Sequence, residues 1–214
     1  MMAKRPLFRL CLAAALGFIP LAIKMPYIVQ AWIHSPMDRP GWAFGFLSLL
    51  AAAAAMPKVL ARVDGWDLSA LLALLPALVI VLAGIAKDIH AVAIVGAIIF
   101  AWAVLWLALG WRSAYCIAPA FAILMLMTTS LRYWLGYFSG SLYLDGLVIM
   151  AAIAVTASAW LATNLLWETT PSRELFCFSV AVCAVLLAVA VHELAGMHVA
   201  SSPFTPDFSR MNLD

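Results

Sequence analysis

Apolar residues in this chain gather into long runs, and most of the charged residues fall between the runs rather than inside them. A helix needs about 20 apolar residues to cross the hydrocarbon of a bilayer. The run over 7–23 is short for this and is interrupted at Pro20. Apolar character resumes over 25–33, which predicts a first crossing that is tilted or kinked. Further runs at 41–61, 66–86, 89–109, 113–131, 142–167 and 175–195 predict six more helices. Backbone amides in lipid must pair within their own segment or around a closed barrel. Barrel strands alternate apolar and polar positions, whereas these runs are continuously apolar and rich in Ala and Leu. The expected fold is all-α, a polytopic transmembrane bundle of about seven helices, with boundary uncertainty that spans six to eight. It occupies 1–197 and is followed by a polar tail, 198–214. Short connections make successive helices antiparallel neighbours.

Composition explains where this apolar surface goes. Hydrophobic residues make up 67% of the 214 and charged residues 10%, with a mean hydropathy of +1.07. Soluble domains run near 45–50% apolar and about 25% charged, and a fold of this size could not hide the excess. The lipid bilayer is therefore the first partner. A net charge of +2 without a clustered basic face argues against nucleic acid. The basic start, Lys4-Arg5, followed by an apolar run resembles an export signal. No small-x-small cleavage site follows, so an uncleaved first helix is expected.

Lysines and arginines favour the cytoplasmic side. With the N-terminus inside, Lys4, Arg5, Arg9, Lys58, Arg62, Arg112 and Arg173 lie inside, and Lys24, Arg39, Lys87, Arg132 and Arg210 lie outside. Trp32, Trp42, Trp66, Trp111, Trp134 and Trp167 sit near expected helix ends, where indole rings prefer the headgroup region. Trp102, Trp106 and Trp160 fall deeper, as packing residues. Gly41 and Gly45 form a GxxxG spacing that lets helices approach closely, expected here within the chain rather than as a dimer seam.

Ionisable groups inside a membrane are functional candidates because burying them is costly. Lys87-Asp88-Ile89-His90 reads as a solvated turn with local pairing, and Asp145 as a helix N-terminal carboxylate stabilised by the macrodipole. His192 and Glu193 close the last run. An HExxH zinc motif would need histidine at 196, which is Gly196, so no metal site and no cofactor is expected. The pair reads either as structural or as a general base. The segment from Thr128 to Phe138 has two readings. Arg132 snorkels to the interface from a membrane anchor, or the segment lines a groove for an extended substrate. Arg132, His192 and Glu193 are the candidate functional residues. Cys11, Cys116, Cys177 and Cys183 form no CxxC pair and read as buried small hydrophobes.

Gly110-Trp111-Arg112, the run Ala118-Pro119-Ala120-Phe121-Ala122-Ile123-Leu124, and the segment from Ser130 to Phe138 are together similar to the membrane half of exosortases and archaeosortases. Trp32-Ile33-His34-Ser35-Pro36 and Trp42-Ala43-Phe44-Gly45 fit that family's first outward loop and second helix. The resemblance covers residues 25–140. It implies a membrane protein acting in envelope protein sorting or exopolysaccharide export. Catalysis in that family uses Cys, Arg and His near the outer face: a thiolate, a base and a cation for developing charge. This chain lacks the family's Ala-Cys-(Ser/Ala)-Gly segment, so no catalytic residue carries over. The resemblance then implies a divergent or non-catalytic component. A structural subunit of a larger membrane complex, with membrane protein partners, and a small permease subunit are the alternatives. Pro20, Pro76 and Pro119 would give the permease its broken helices.

Overall fold

The computed structural model describes residues 4–34, 41–127, 157 and 160, and among these every regular element is helical. They are α1 (Lys4–Gly17), α2 (Ile19–His34), α3 (Gly41–Ala61), a 3-10 turn (Leu68–Ala70), α4 (Leu71–Ala86), α5 (His90–Leu109) and α6 (Trp111–Met125). Among the described residues, three helical stretches are long and apolar enough to cross a membrane: Gly41–Ala61, Leu68–Ala86 and His90–Leu109. The bent pair α1–α2 makes a fourth if its halves form one span. The predicted runs at 142–167 and 175–195 lie outside the described residues, except that Ala157 and Trp160 are helical.

The first run is bent by 53°, as its interruption at Pro20 suggested. The break falls at Phe18, and Pro20 sits in the first turn of α2, where its ring and missing N–H end the preceding helix. Helix then continues through Lys24 and Pro26 to His34. One stripe runs through the bend: Leu10, Ala13, Gly17, Leu21 and Ile28 are all buried, spaced three, four or seven apart as one face of a helix requires. Pro76 and Pro119 also lie inside unbroken helices. The permease reading loses the discontinuous helices it called for at those two positions.

α5 is the central element, packed against α4, α1, α6 and α2, while α3 packs on α6. The contacts are made by small residues. A Cβ on Gly84 of α4 would overlap the backbone of Ala93, at 2.8 Å from its Cα, and one on Gly96 of α5 would lie 2.8 Å from the Val81 backbone nitrogen. A Cβ on Gly17 would lie 3.1 Å from the Cα of Ala101, so α1 meets α5 nearly as closely. In lipid, where apolar tails compete equally for apolar side chains, such close van der Waals packing drives association. Many of the large apolar side chains of α1 to α4 point the other way. Phe8, Ile23, Leu49 and Val79 are among many that stand exposed, which gives the described helices an apolar outer surface suited to bilayer contact.

The α4–α5 turn explains the tightness of that hairpin. Ile89 N–H donates to Gly84 O and Asp88 N–H to Ile85 O, while Asp88 adopts φ 54°. These are the paired bonds of a Schellman cap, with aspartate at the left-handed position that usually falls to glycine or asparagine.

Of the GxxxG pair, Gly41 alone makes a close approach within the described chain. A Cβ on Gly41 would collide with the Trp32 indole and with Met127 O, whereas one on Gly45 would find Met127 Sδ at 3.6 Å. Gly41→Val should therefore lower the melting temperature in detergent, at a cost of about 1–3 kcal/mol for overpacking. Gly45→Ala should leave it unchanged. Equal effects at the two positions would contradict this packing.

Candidate functional site

Polar side chains of the described half collect in two places, at opposite ends of α5. The larger group joins the α3–α4 and α5–α6 connections. Helix C-termini leave four carbonyls without helical partners, and here other segments supply them. Asp64 N–H donates to Leu109 O and Asp67 N–H to Leu107 O, each at 3.0 Å. Ser113 Oγ lies 3.0 Å from both Val59 O and Arg62 O, so its single proton serves the end of α3. Gly110, at φ 93°, turns the chain from α5 into α6, and a Cβ there would sit 3.0 Å from that of Asp64.

Asp67 is the buried carboxylate of this joint, 7% exposed. Oδ1 accepts from the Ser69 amide at 3.1 Å and the Ser69 hydroxyl at 2.7 Å, capping the 3-10 turn. Oδ2 accepts from the Trp106 indole N–H at 3.1 Å. Trp106 is wholly buried, so the carboxylate ties the α4 entrance to the core of α5. Around the rim, Arg112 approaches Asp64 at 3.7 Å with both side chains about half exposed, a pair that contributes little. The Arg112 guanidinium also sits 5.6 Å from the Trp111 ring centroid. Arg62 Nη1 donates to Cys116 Sγ at 3.5 Å.

At the other end, Lys24 Nζ lies 3.4 Å from His90 Nδ1, and Asp88 Oδ1 lies 3.7 Å from the same nitrogen. The Tyr27 ring packs edge-on against the imidazole, centroids 4.3 Å apart. The expected local pairing in this turn is present as Asp88–His90, and α2 joins it.

What can these groups do chemically? A thiol nucleophile needs an activating base within hydrogen-bond reach. Cys116 is buried at 2% exposure with a guanidinium beside it. His90 opens α5 at the opposite end, roughly 20 Å away by helical rise. Among the described residues no three His, Cys, Asp or Glu side chains could hold a metal ion. Arg132, His192 and Glu193 lie outside the described residues, as do Asp145, Cys177 and Cys183. In the folded membrane-embedded protein Cys116 should resist N-ethylmaleimide and react only after denaturation; rapid native labelling would contradict its burial.

Sequence reading missed Asp67, Ser113, Arg62 and Lys24. Asp67-Leu68-Ser69 ahead of an apolar run carried a legible capping signal. The partners Trp106, Val59 and His90 are 39, 54 and 66 residues distant, and no local pattern announces them. Trp102 and Trp160 do pack between elements as expected, donating to Ala114 O and to the Tyr115 hydroxyl.

No family model, no curated protein and no solved structure matches this chain.

Proposed function

We propose that this chain is a multi-pass protein of the bacterial inner membrane, with about seven helices and a cytoplasmic N-terminus. It resembles the membrane half of exosortases and serves envelope protein sorting or exopolysaccharide export as a non-catalytic component. The observation that carries the non-catalytic part is the state of Cys116, one of two cysteines among the described residues; the other, Cys11, is exposed on α1 rather than buried as its apolar surroundings suggested. The Cys116 thiol is packed beneath Arg62 at a helix joint and is buried among the described residues. The test is replacement of Cys11, Cys116, Cys177 and Cys183 by alanine, followed by a sorting assay in cells. Full sorting by the cysteine-free protein is the expected result. Loss of sorting with normal protein levels, restored by one cysteine alone, would return the chain to the thiol enzymes.

A second reading, a structural subunit of a larger membrane complex, draws on a separate observation. Asp67, Ser69, Ser113 and Ser48 are engaged in bonds within the described bundle, which suits a scaffold better than a transport path. Stoichiometric co-purification of other membrane proteins in mild detergent favours this reading, and substrate uptake by vesicles reconstituted with the chain alone would favour a permease.

A further inference from the structure

The polar group at the start of α5 has a property that none of the roles above uses. His90 Nδ1 faces two partners of opposite charge from two different elements: Lys24 Nζ of α2 at 3.4 Å and Asp88 Oδ1 of the α4–α5 turn at 3.7 Å. An ammonium has donors only, so it bonds to Nδ1 only while that nitrogen carries a lone pair. A protonated imidazole has no lone pair to offer, and it presents a second positive charge to Lys24. It pairs instead with the carboxylate of Asp88.

We propose that His90 is a proton-operated latch between α2 and the α4–α5 turn. Neutral His90 holds Lys24 and closes the latch. Protonated His90 turns to Asp88 and releases Lys24. Raising the pH favours the closed form and lowering it the open form, histidine being the side chain type that ordinarily changes charge between pH 5 and 8.

The surroundings suit the task. The imidazole side chain is 34% exposed and that of Asp88 90%, so protons reach both without opening the bundle. Tyr27, the remaining titratable neighbour from α2, presents its ring in a T-shaped contact, and Lys87 lies exposed in the same turn. The freed element is the one already bent by 53° after α1, and Asp88 is held in place by the Schellman cap.

The test places spin labels at Ile23→Cys and Ile85→Cys, both exposed apolar positions beside the latch, in the otherwise cysteine-free full chain in lipid nanodiscs. Distance distributions are recorded from pH 8 to pH 5. The expected result is a reversible shift to a longer, broader distribution at low pH. His90→Gln, whose amide oxygen still accepts from Lys24, should hold the short distance at every pH. Asp88→Gly keeps the left-handed turn but removes the competing carboxylate, and should move the midpoint to lower pH. A wild-type distribution that does not change with pH would overturn the latch, and so would a His90→Gln protein that still responds. Neither outcome bears on envelope sorting, which the cysteine replacements test separately.

Discussion

Gly84→Ala, the addition of one methyl group, should destabilise the protein by about 1–3 kcal/mol, the usual cost of overpacking a close-packed interior. The new Cβ would enter the space held by the Ala93 backbone, 2.8 Å from its Cα, and neither backbone can yield without parting α4 from α5. Gly96→Leu on the facing helix should do more damage, since its first carbon alone would meet Val81 N and the Ile80 and Val81 side chains below 3.0 Å. Folded yield should fall along with melting temperature. The informative control is Val79→Ala, on the outward face of α4 at 65% exposure. In a soluble protein an exposed valine would also be a neutral site. Here the distinguishing result comes from Val79→Arg near the middle of α4. It should cost about 2.5–3.5 kcal/mol on insertion scales, where a soluble surface would accept it freely. Thermal melts in detergent and insertion efficiency in membranes check the two effects.

Asp67→Ala should rank next. It deprives the buried Trp106 indole of this acceptor and removes the cap of the 3-10 turn, at roughly 1–3 kcal/mol for a buried hydrogen-bonded group. Asp64→Ala, three residues away, removes only the half-exposed Arg112 pair and should cost roughly 0–1 kcal/mol. The difference between two aspartates in one short connection checks the assignment of the joint. A double-mutant cycle between Asp67→Asn and Trp106→Phe should show a coupling within the 0.5–3 kcal/mol found for contacting residues. Additive effects would mean that the carboxylate and the indole act independently.

Bilayer physics made the helices legible. Hydropathy located α3 at 41–61 to the residue and α5 within one residue of its start, because a span of lipid imposes both length and composition. It placed the start of α4 at 66, where the structure has an extended lead-in and a 3-10 turn before Leu71; a capped turn is too short to leave a hydropathy trace. Proline was an uneven guide. Pro20 marked the bend that falls at Phe18, whereas Pro76 and Pro119 suggested breaks that intact helices do not show. The seams were hidden for a different reason. Gly84 and Gly96 look like any glycine in an apolar run, and only the pairing of α4 with α5 gives them a role. The candidate residues Arg132, His192 and Glu193 carry ionisable groups near expected helix ends, all outside the described residues. The described polar groups that matter, Asp67 and Lys24, are charges that each bond to a partner from a distant part of the chain.

The central claim is that the bilayer is the solvent of this bundle, with its two polar ends on opposite sides of the membrane. Single cysteines introduced at Asp64, Asp88 and Arg112 in the cysteine-free chain, probed with a membrane-impermeant maleimide in intact and opened cells, test it directly. Residues 64 and 112 should be labelled from one side, the cytoplasmic one, and residue 88 from the other. Labelling of all three from the same side, or of 64 and 112 from opposite sides, would contradict the arrangement.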